Sequence, residues 1–145
     1  MLTDFTNGEI KKHETLLIHV DGGCEPVNPG GTACSAWVIY DNHPPAKKIL
    51  AQEYRVVQKG GDLATNNYAE YCALGFGLRF LINQKWFGQL EIRSDSKLLV
   101  EQVNNNWKCK AKHLIPLRDR IWEHFEKLGT QNLIWIPRDQ NAYAD

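Results

Sequence analysis

Asp21, Glu70, Asp95 and Asp145 share one kind of position: each lies where an apolar run hands over to a turn or to a helical pattern. A single acid so placed has an ordinary explanation. Asp21 ahead of Gly22-Gly23 reads as a turn residue, Glu70 as the acid of a capping box, and Asp95 with Ser96 as a helix start. All four at element ends point instead to chemistry. Carboxylates gathered in a partly desolvated cleft repel one another, and at least one must be held protonated unless a cation joins them. Magnesium prefers oxygen ligands, usually one or two carboxylates plus water and substrate phosphate, so four acids suit a two-metal site better than a single cage. Two divalent ions about 3.5–4 Å apart activate an attacking water and stabilise a leaving 3′ oxygen, which is the chemistry of phosphodiester hydrolysis.

The elements that must position these acids follow from the periodicity. After a polar arm, Leu16-Leu17-Ile18-His19-Val20 reads as a β-strand that ends at the turn signal Asp21-Gly22-Gly23. Cys24 to Gly31 is a turn-rich loop, Ala33 to Tyr40 a second strand, and about Ile49 to Val57 a third, with loops short enough for an antiparallel meander. The period then changes. Ala69, Cys72, Ala73, Phe76 and Phe80 fall at helical spacing, with Asn67 and Glu70 placed as a capping box, and Gly75 and Gly77 are expected where this helix lies close against the sheet. Leu90 to Arg93 is a fourth strand. Asp95-Ser96 opens a second helix through about Val103, and Leu117, Ile121, Phe125 and Leu128 mark an amphipathic helix beginning near Pro116. Leu133 to Ile136 is a fifth strand, and Asn141 to Asp145 resembles the first turn of a final helix. Three strands followed by alternating helix and strand predict an α/β fold with a mixed sheet in which strands one and four are parallel neighbours, with the site beyond their carboxyl ends.

Composition sets the outer limits. A chain of 145 residues with 43% apolar and 23% charged residues is the size and profile of one globular domain. The arm is assigned to residues 1–15 and the domain to 16–145. No apolar run approaches the roughly 20 residues that cross a bilayer, and the N-terminus lacks the apolar stretch of a secretory signal, so a cytoplasmic protein with no membrane partner is expected. Cys24, Cys34, Cys72 and Cys109 form no CxxC pair and are expected to be free thiols. Cys109 and His113 have ligand-like spacing but no motif supplies further zinc ligands. A formal net charge of zero argues against a strongly basic, non-specific nucleic-acid binder, although Lys108, Lys110, Lys112 and His113 make a local basic stretch.

The runs HVDGGCEPVNPGG, TNNYAE, IRSDSKLLVEQVNNNW and WIPRDQNAYAD resemble, in order and spacing, the four signature segments of the type 1 ribonucleases H, over about Leu16 to Asp145. The resemblance implies a ribonuclease H-like α/β fold: a five-stranded mixed sheet of order 3-2-1-4-5 with helices on both faces. It implies that Asp21, Glu70, Asp95 and Asp145 are catalytic, metal-binding acids. It further implies two Mg2+ ions per site in the presence of substrate, with Mn2+ as a substitute. The implied activity is endonucleolytic cleavage of the RNA strand of an RNA/DNA hybrid, giving 5′-phosphate and 3′-hydroxyl ends. Another nuclease of the superfamily, or a hybrid-binding module that does not cut, are the alternatives. By the same resemblance Cys24 and Asn28 touch the minor groove of the hybrid. Asn66 and Asn67 contact sugars and bases near the cut, where amides that both donate and accept suit a ribose 2′-OH. Trp107 lies beside the DNA strand; read from the residues alone, it equally suits a packing anchor between two helices. A monomer without an obligatory protein partner is expected.

Two departures from the family pattern bear on function. Only CKAKHLIP fills the interval where some members insert a basic, aromatic-rich helix and loop, so weaker substrate affinity is expected. Those members also carry a histidine in the loop before the last acid, and Pro137-Arg138-Asp139-Gln140 has none. Arg138 is placed to contact the scissile phosphate or the product in its stead. Members continue past the last aspartate, whereas this sequence ends at Asp145. Asp145 is therefore expected to be the least ordered of the four acids, and residues 1–14 are expected to be a second mobile segment.

Overall fold

A computed structural model describes residues 10–42 and 48–141. Five strands, β1 (Thr15–Glu25), β2 (Thr32–Asp41), β3 (Ile49–Lys59), β4 (Gln89–Ser94) and β5 (Leu133–Trp135), form one sheet in the order β3-β2-β1-β4-β5. The first three pair antiparallel, and β1·β4 and β4·β5 are parallel, as the pattern of the sequence predicts. Three helices, α1 (Asn66–Asn83), α2 (Lys97–Val103) and α3 (Ile115–Leu128), complete the described architecture.

The central strand is apolar at consecutive positions because both of its faces are covered. Successive side chains point to opposite faces, so Leu16, Ile18 and Val20 join Trp37, Ile39, Leu90 and Ile92 in the main core. Into this cluster α1 sends Ala73, Leu74, Leu78 and Leu81, α2 sends Leu99, Val100 and Val103, and α3 sends Ile121, Phe125 and Leu128. Each such large aliphatic side chain contributes about 1.5–3 kcal/mol by leaving water. On the opposite face Leu17 meets Val38 and Tyr40 in a smaller cluster. All three described helices therefore serve one face. The final helical turn expected at Asn141 to Asp145 lies outside the described residues apart from Asn141 itself.

Several local expectations are corrected. β1 does not stop at Asp21 but runs through Gly22, Gly23 and Cys24 to Glu25, because β2 keeps pairing with it after β4 has ended. Helix α1 is capped by Thr65, whose Oγ1 accepts the Tyr68 N–H at 3.1 Å, so Asn67 and Glu70 sit inside the first turns rather than forming a capping box. Gly77 does lie against the sheet, where an added Cβ would come within 2.4 Å of Ile18 Cδ1, but Gly75 faces open space. The N-terminal arm is partly structural: Ile10 is fully buried in the main core and begins a 3-10 turn, and the Trp86 indole donates to the His13 carbonyl at 2.7 Å. Residues 1–9, to which the rest of that expectation applies, lie outside the described residues.

Candidate active site

The acid cluster forms where the parallel half of the sheet ends. Val20 and Ser94 are the last partners of β1 and β4, so Asp21 and Asp95 follow side by side, the first still held in the β1·β2 ladder opposite Ala36 and the second just beyond β4. Two serines shape the Asp95 turn. Ser94 Oγ accepts the Ser96 N–H at 3.0 Å, and Ser96 Oγ caps α2 by accepting the Leu99 N–H at 3.2 Å. The Trp135 indole donates to the Asp95 carbonyl at 3.1 Å, tying the same turn to the end of β5.

Glu70 arrives from above on α1. Its approach depends on Gly22, where an added Cβ would lie 2.4 Å from both the Ala69 carbonyl carbon and the Glu70 nitrogen. The missing side chain lets the first turns of α1 rest directly on β1. One oxygen from each of Asp21, Glu70 and Asp95 then falls within 4.8 Å of the others. Glu70 is 4% exposed, and its Oε2 has no hydrogen-bond partner among the described residues. Burial, followed by the negative charges of Asp21 and Asp95, pushes its pKa well above the usual carboxylate value; the Gly22 backbone and the Arg138 guanidinium pull the other way by less. The Arg138 Nε stands 3.9 Å from Asp95 Oδ2, but its side chain is 80% exposed and screened by water. Three converging carboxylates, one of them buried with an unpaired oxygen, form a hard anionic donor set that fits a divalent cation.

Asp145, the fourth expected acid, lies outside the described residues. Of the expected substrate contacts, Asn28, Asn66, Asn67, Trp107 and Arg138 are all exposed. Asn28 Oδ1 accepts the Asn66 backbone N–H at 3.2 Å, so the loop after β1 is joined to the start of α1. Cys24 is different. Its thiol is buried and lies 3.1 Å from the Val27 carbonyl and 3.0 Å from the Ala64 carbonyl, which makes it an internal clip rather than a groove contact. Gly30 N–H donates to the same Ala64 carbonyl at 2.9 Å. Trp107 is 45% exposed at the head of a loop fixed from below. The Tyr71 hydroxyl meets Gln102 Oε1 at 2.7 Å, and Gln102 Nε2 donates to the Lys108 carbonyl at 3.2 Å. Trp107 is thus no packing anchor. All four cysteines are free thiols.

Two residues of the site carry no signal in sequence. Asn141 is fully buried, and its Nδ2 donates to the Val20 carbonyl at 3.0 Å and reaches Asp95 Oδ2 at 3.4 Å. Its Oδ1 faces His19 Nδ1 at 2.6 Å. No spacing rule connects positions 122 residues apart; only the closed sheet brings them together.

The strand order and the acid triad define a protein of the ribonuclease H fold. Comparison with known proteins agrees and narrows it. The sequence profile of the family described as "Reverse transcriptase-like" matches residues 19–145. The bifunctional protein Rv2228c of Mycobacterium tuberculosis is 33% identical over 132 residues, covering 90% of this chain and 33% of that protein. The solved N-terminal RNase H domain of Rv2228c superimposes with a TM-score of 0.78 at 30% identity, over 90% of this chain and 88% of that one. Ribonuclease HI of Halobacterium salinarum is 30% identical over 126 residues, covering 85% of this chain and 57% of the enzyme. LC11-RNase H1, solved in complex with an RNA/DNA hybrid, gives a TM-score of 0.77 at 30% identity over 90% and 91% of the two chains. The chain spans about a third of the Mycobacterium relative and little more than half of the Halobacterium enzyme. It belongs to the ribonuclease HI-type family.

Proposed function

We propose that this chain hydrolyses the RNA strand of RNA/DNA hybrids endonucleolytically, leaving 5′-phosphate and 3′-hydroxyl ends. The observation that carries the reading is the convergence of Asp21, Glu70 and Asp95 within 4.8 Å, with Glu70 buried and one of its oxygens unpaired. These three, joined by Asp145, would hold a pair of divalent ions, Mg2+ or in its place Mn2+, which when bound supply activation of the attacking water and relief of charge on the leaving 3′ oxygen.

The rest is done by the chain itself. Asp21 is fixed by the strand ladder and Glu70 by the seat of α1 on Gly22, so the positions of these donors are set before substrate arrives. Asn66 and Asn67, exposed at the start of α1, offer amides to the ribose 2′-OH that distinguishes RNA from DNA. Asn28 braces that corner through Asn66 and borders the minor groove. Trp107 stands among the exposed Lys108, Lys110 and Lys112, and this group holds sugar and phosphate of the DNA strand. Arg138, exposed and beside Asp95, meets the scissile phosphate or the departing product. We place the protein in the cytoplasm as a monomer; among the described residues no helix is long and apolar enough to cross a membrane.

The test is cleavage of one labelled hybrid set against single-stranded RNA, duplex RNA and duplex DNA, with magnesium present or chelated, by the wild type and by Asp21→Asn and Asp95→Asn. Hybrid-only, magnesium-dependent internal cuts that both substitutions abolish, with hybrid binding largely kept, are expected. Tight hybrid binding by the wild type with no products in magnesium would refute the reading, as would unchanged turnover in Asp21→Asn.

A further inference from the structure

Behind the acids, on the sheet face that carries Leu17 and Tyr40, lies a buried polar chain that the reaction as described leaves unused. His19 and Asn141 are 3% and 0% exposed, and buried polar groups of this kind persist only when satisfied. The carbonyl of Val20 can only accept, so the Asn141 atom 3.0 Å from it is the Nδ2 donor. Oδ1 then faces His19, which places a proton on His19 Nδ1. That amide orientation also points Nδ2 at Asp95 Oδ2, 3.4 Å away. The His19 ring is steadied by an edge contact with Tyr40, at 5.6 Å between centroids and 79° between planes.

We infer that His19 is a positioning residue for the reaction proposed above, acting through Asn141 to hold the Asp95 carboxylate in its place in the cluster. Asp95 follows the last paired residue of β4 and faces the carboxyl groups of Asp21 and Glu70, whose crowding favours turning it outward, so a donor that fixes its Oδ2 bears directly on the cluster. A neutral amide donor orients the group without cancelling its charge, whereas a lysine or arginine in that position would compete with the cation the cluster is built to hold. The Val20 carbonyl already selects the orientation of the amide, and the His19 Nδ1–H on Oδ1 adds a second contact that fixes the Asn141 side chain against rotation. Partners behind metal-binding groups typically change metal affinity or activity by about 10–100-fold when removed.

The inference rests on the proposed function only for its kinetic readout, so it is tested with and without cleavage. His19→Phe keeps a ring against Tyr40 and removes the donor; His19→Gln returns a donor. For His19→Phe, kcat on the hybrid is expected to fall about tenfold with KM within about twofold, and calorimetric Mg2+ affinity without substrate to fall about tenfold. His19→Gln is expected to recover most of both. A folded His19→Phe protein with wild-type kcat and Mg2+ affinity overturns the inference, and so does a folded His19→Gln that recovers neither. Ring nitrogen NMR of the wild-type protein decides the matter even if neither variant folds: the proton must sit on Nδ1, and a ring protonated only at Nε2 overturns the relay. A wild type that binds Mg2+ yet cuts no hybrid would refute the function while leaving the relay to be judged on Mg2+ affinity.

Discussion

Glu70→Gln should make the metal-free protein more stable while destroying its activity. Glu70 is buried against Asp21 and Asp95, with all three oxygens inside 4.8 Å. At an effective dielectric of about 20, two unit charges at that distance repel by about 3.5 kcal/mol, and Glu70 would meet two of them. Burial, followed by the charges of Asp21 and Asp95, disfavours the ionised form of Glu70, which is why its pKa stands well above the usual 4.5. Protonation sets a ceiling on the cost. Holding a proton at pH 7 on a group that would release it at 4.5 in the unfolded chain costs about 1.36 kcal/mol per pH unit, about 3.4 kcal/mol in all. The sign follows from proton counting. Between 4.5 and the raised folded value the folded chain binds the extra proton, so stability falls as pH rises through that window and levels off above it. Glutamine keeps the shape and removes the charge. In chelator at pH 8 the variant should therefore melt above the wild type, by roughly 3 °C per kcal/mol for a domain of this size. The two melting temperatures should converge near pH 4. Saturating Mg2+ should reverse the order, because the wild type gains a ligand that the variant has lost. Equal melting temperatures at pH 8 in chelator, or a gap that persists at pH 4, would refute the account of carboxylates crowded at the site.

Two further predictions concern how the site is seated and how it holds substrate. Gly22→Ala sets a methyl against the backbone of Ala69 and Glu70 and should cost about 3 kcal/mol in chemical denaturation together with most of the activity; Gly77→Ala, whose methyl meets side chains, the tip of Ile18 and more loosely Trp37, rather than backbone, should cost less, about 1–2 kcal/mol, with turnover intact. Trp107→Ala should raise KM for the hybrid about tenfold and leave kcat within about twofold, while Lys110→Ala should lower the slope of log affinity against log salt by about one, both measured by steady-state kinetics and equilibrium titration.

What the sequence made legible was whatever depends on neighbours along the chain. Among the described residues the switch from period two to helical spacing located the five strands and three α-helices, and the starts of α2 at Asp95-Ser96 and of α3 near Pro116 were legible from local signals, whereas the expected capping box of α1 and the two 3-10 turns were not. The extent of β1 was not legible. Asp21-Gly22-Gly23 is a turn signal in isolation, and only pairing with β2 turns it into strand. The reason for Gly22 was hidden for the same cause: it serves a helix nearly 50 residues away, whereas Gly75, expected to do so, faces open space. Cys24 illustrates the opposite error. A motif position suggested a substrate contact, but the thiol's environment depends on how the turn at Ala64 folds beneath it. His19 looked like one residue of an apolar strand, and its partner Asn141 like the opening of a final helical turn. Their meeting is a product of the sheet closing around both.

The fastening of the loop after β1 has a consequence for kinetics. Cys24 near the end of β1 and Gly30 in the loop both reach the Ala64 carbonyl, and Asn28 receives the Asn66 N–H, so the loop is tied to the segment leading into α1 on both sides of Thr65. A hybrid bound as proposed would meet a surface already tied together, with little freedom left to be lost on contact. Association with hybrid should then be governed by the frequency and charge of encounters rather than by a slow rearrangement of the protein, and mutations in this loop should register as faster departure.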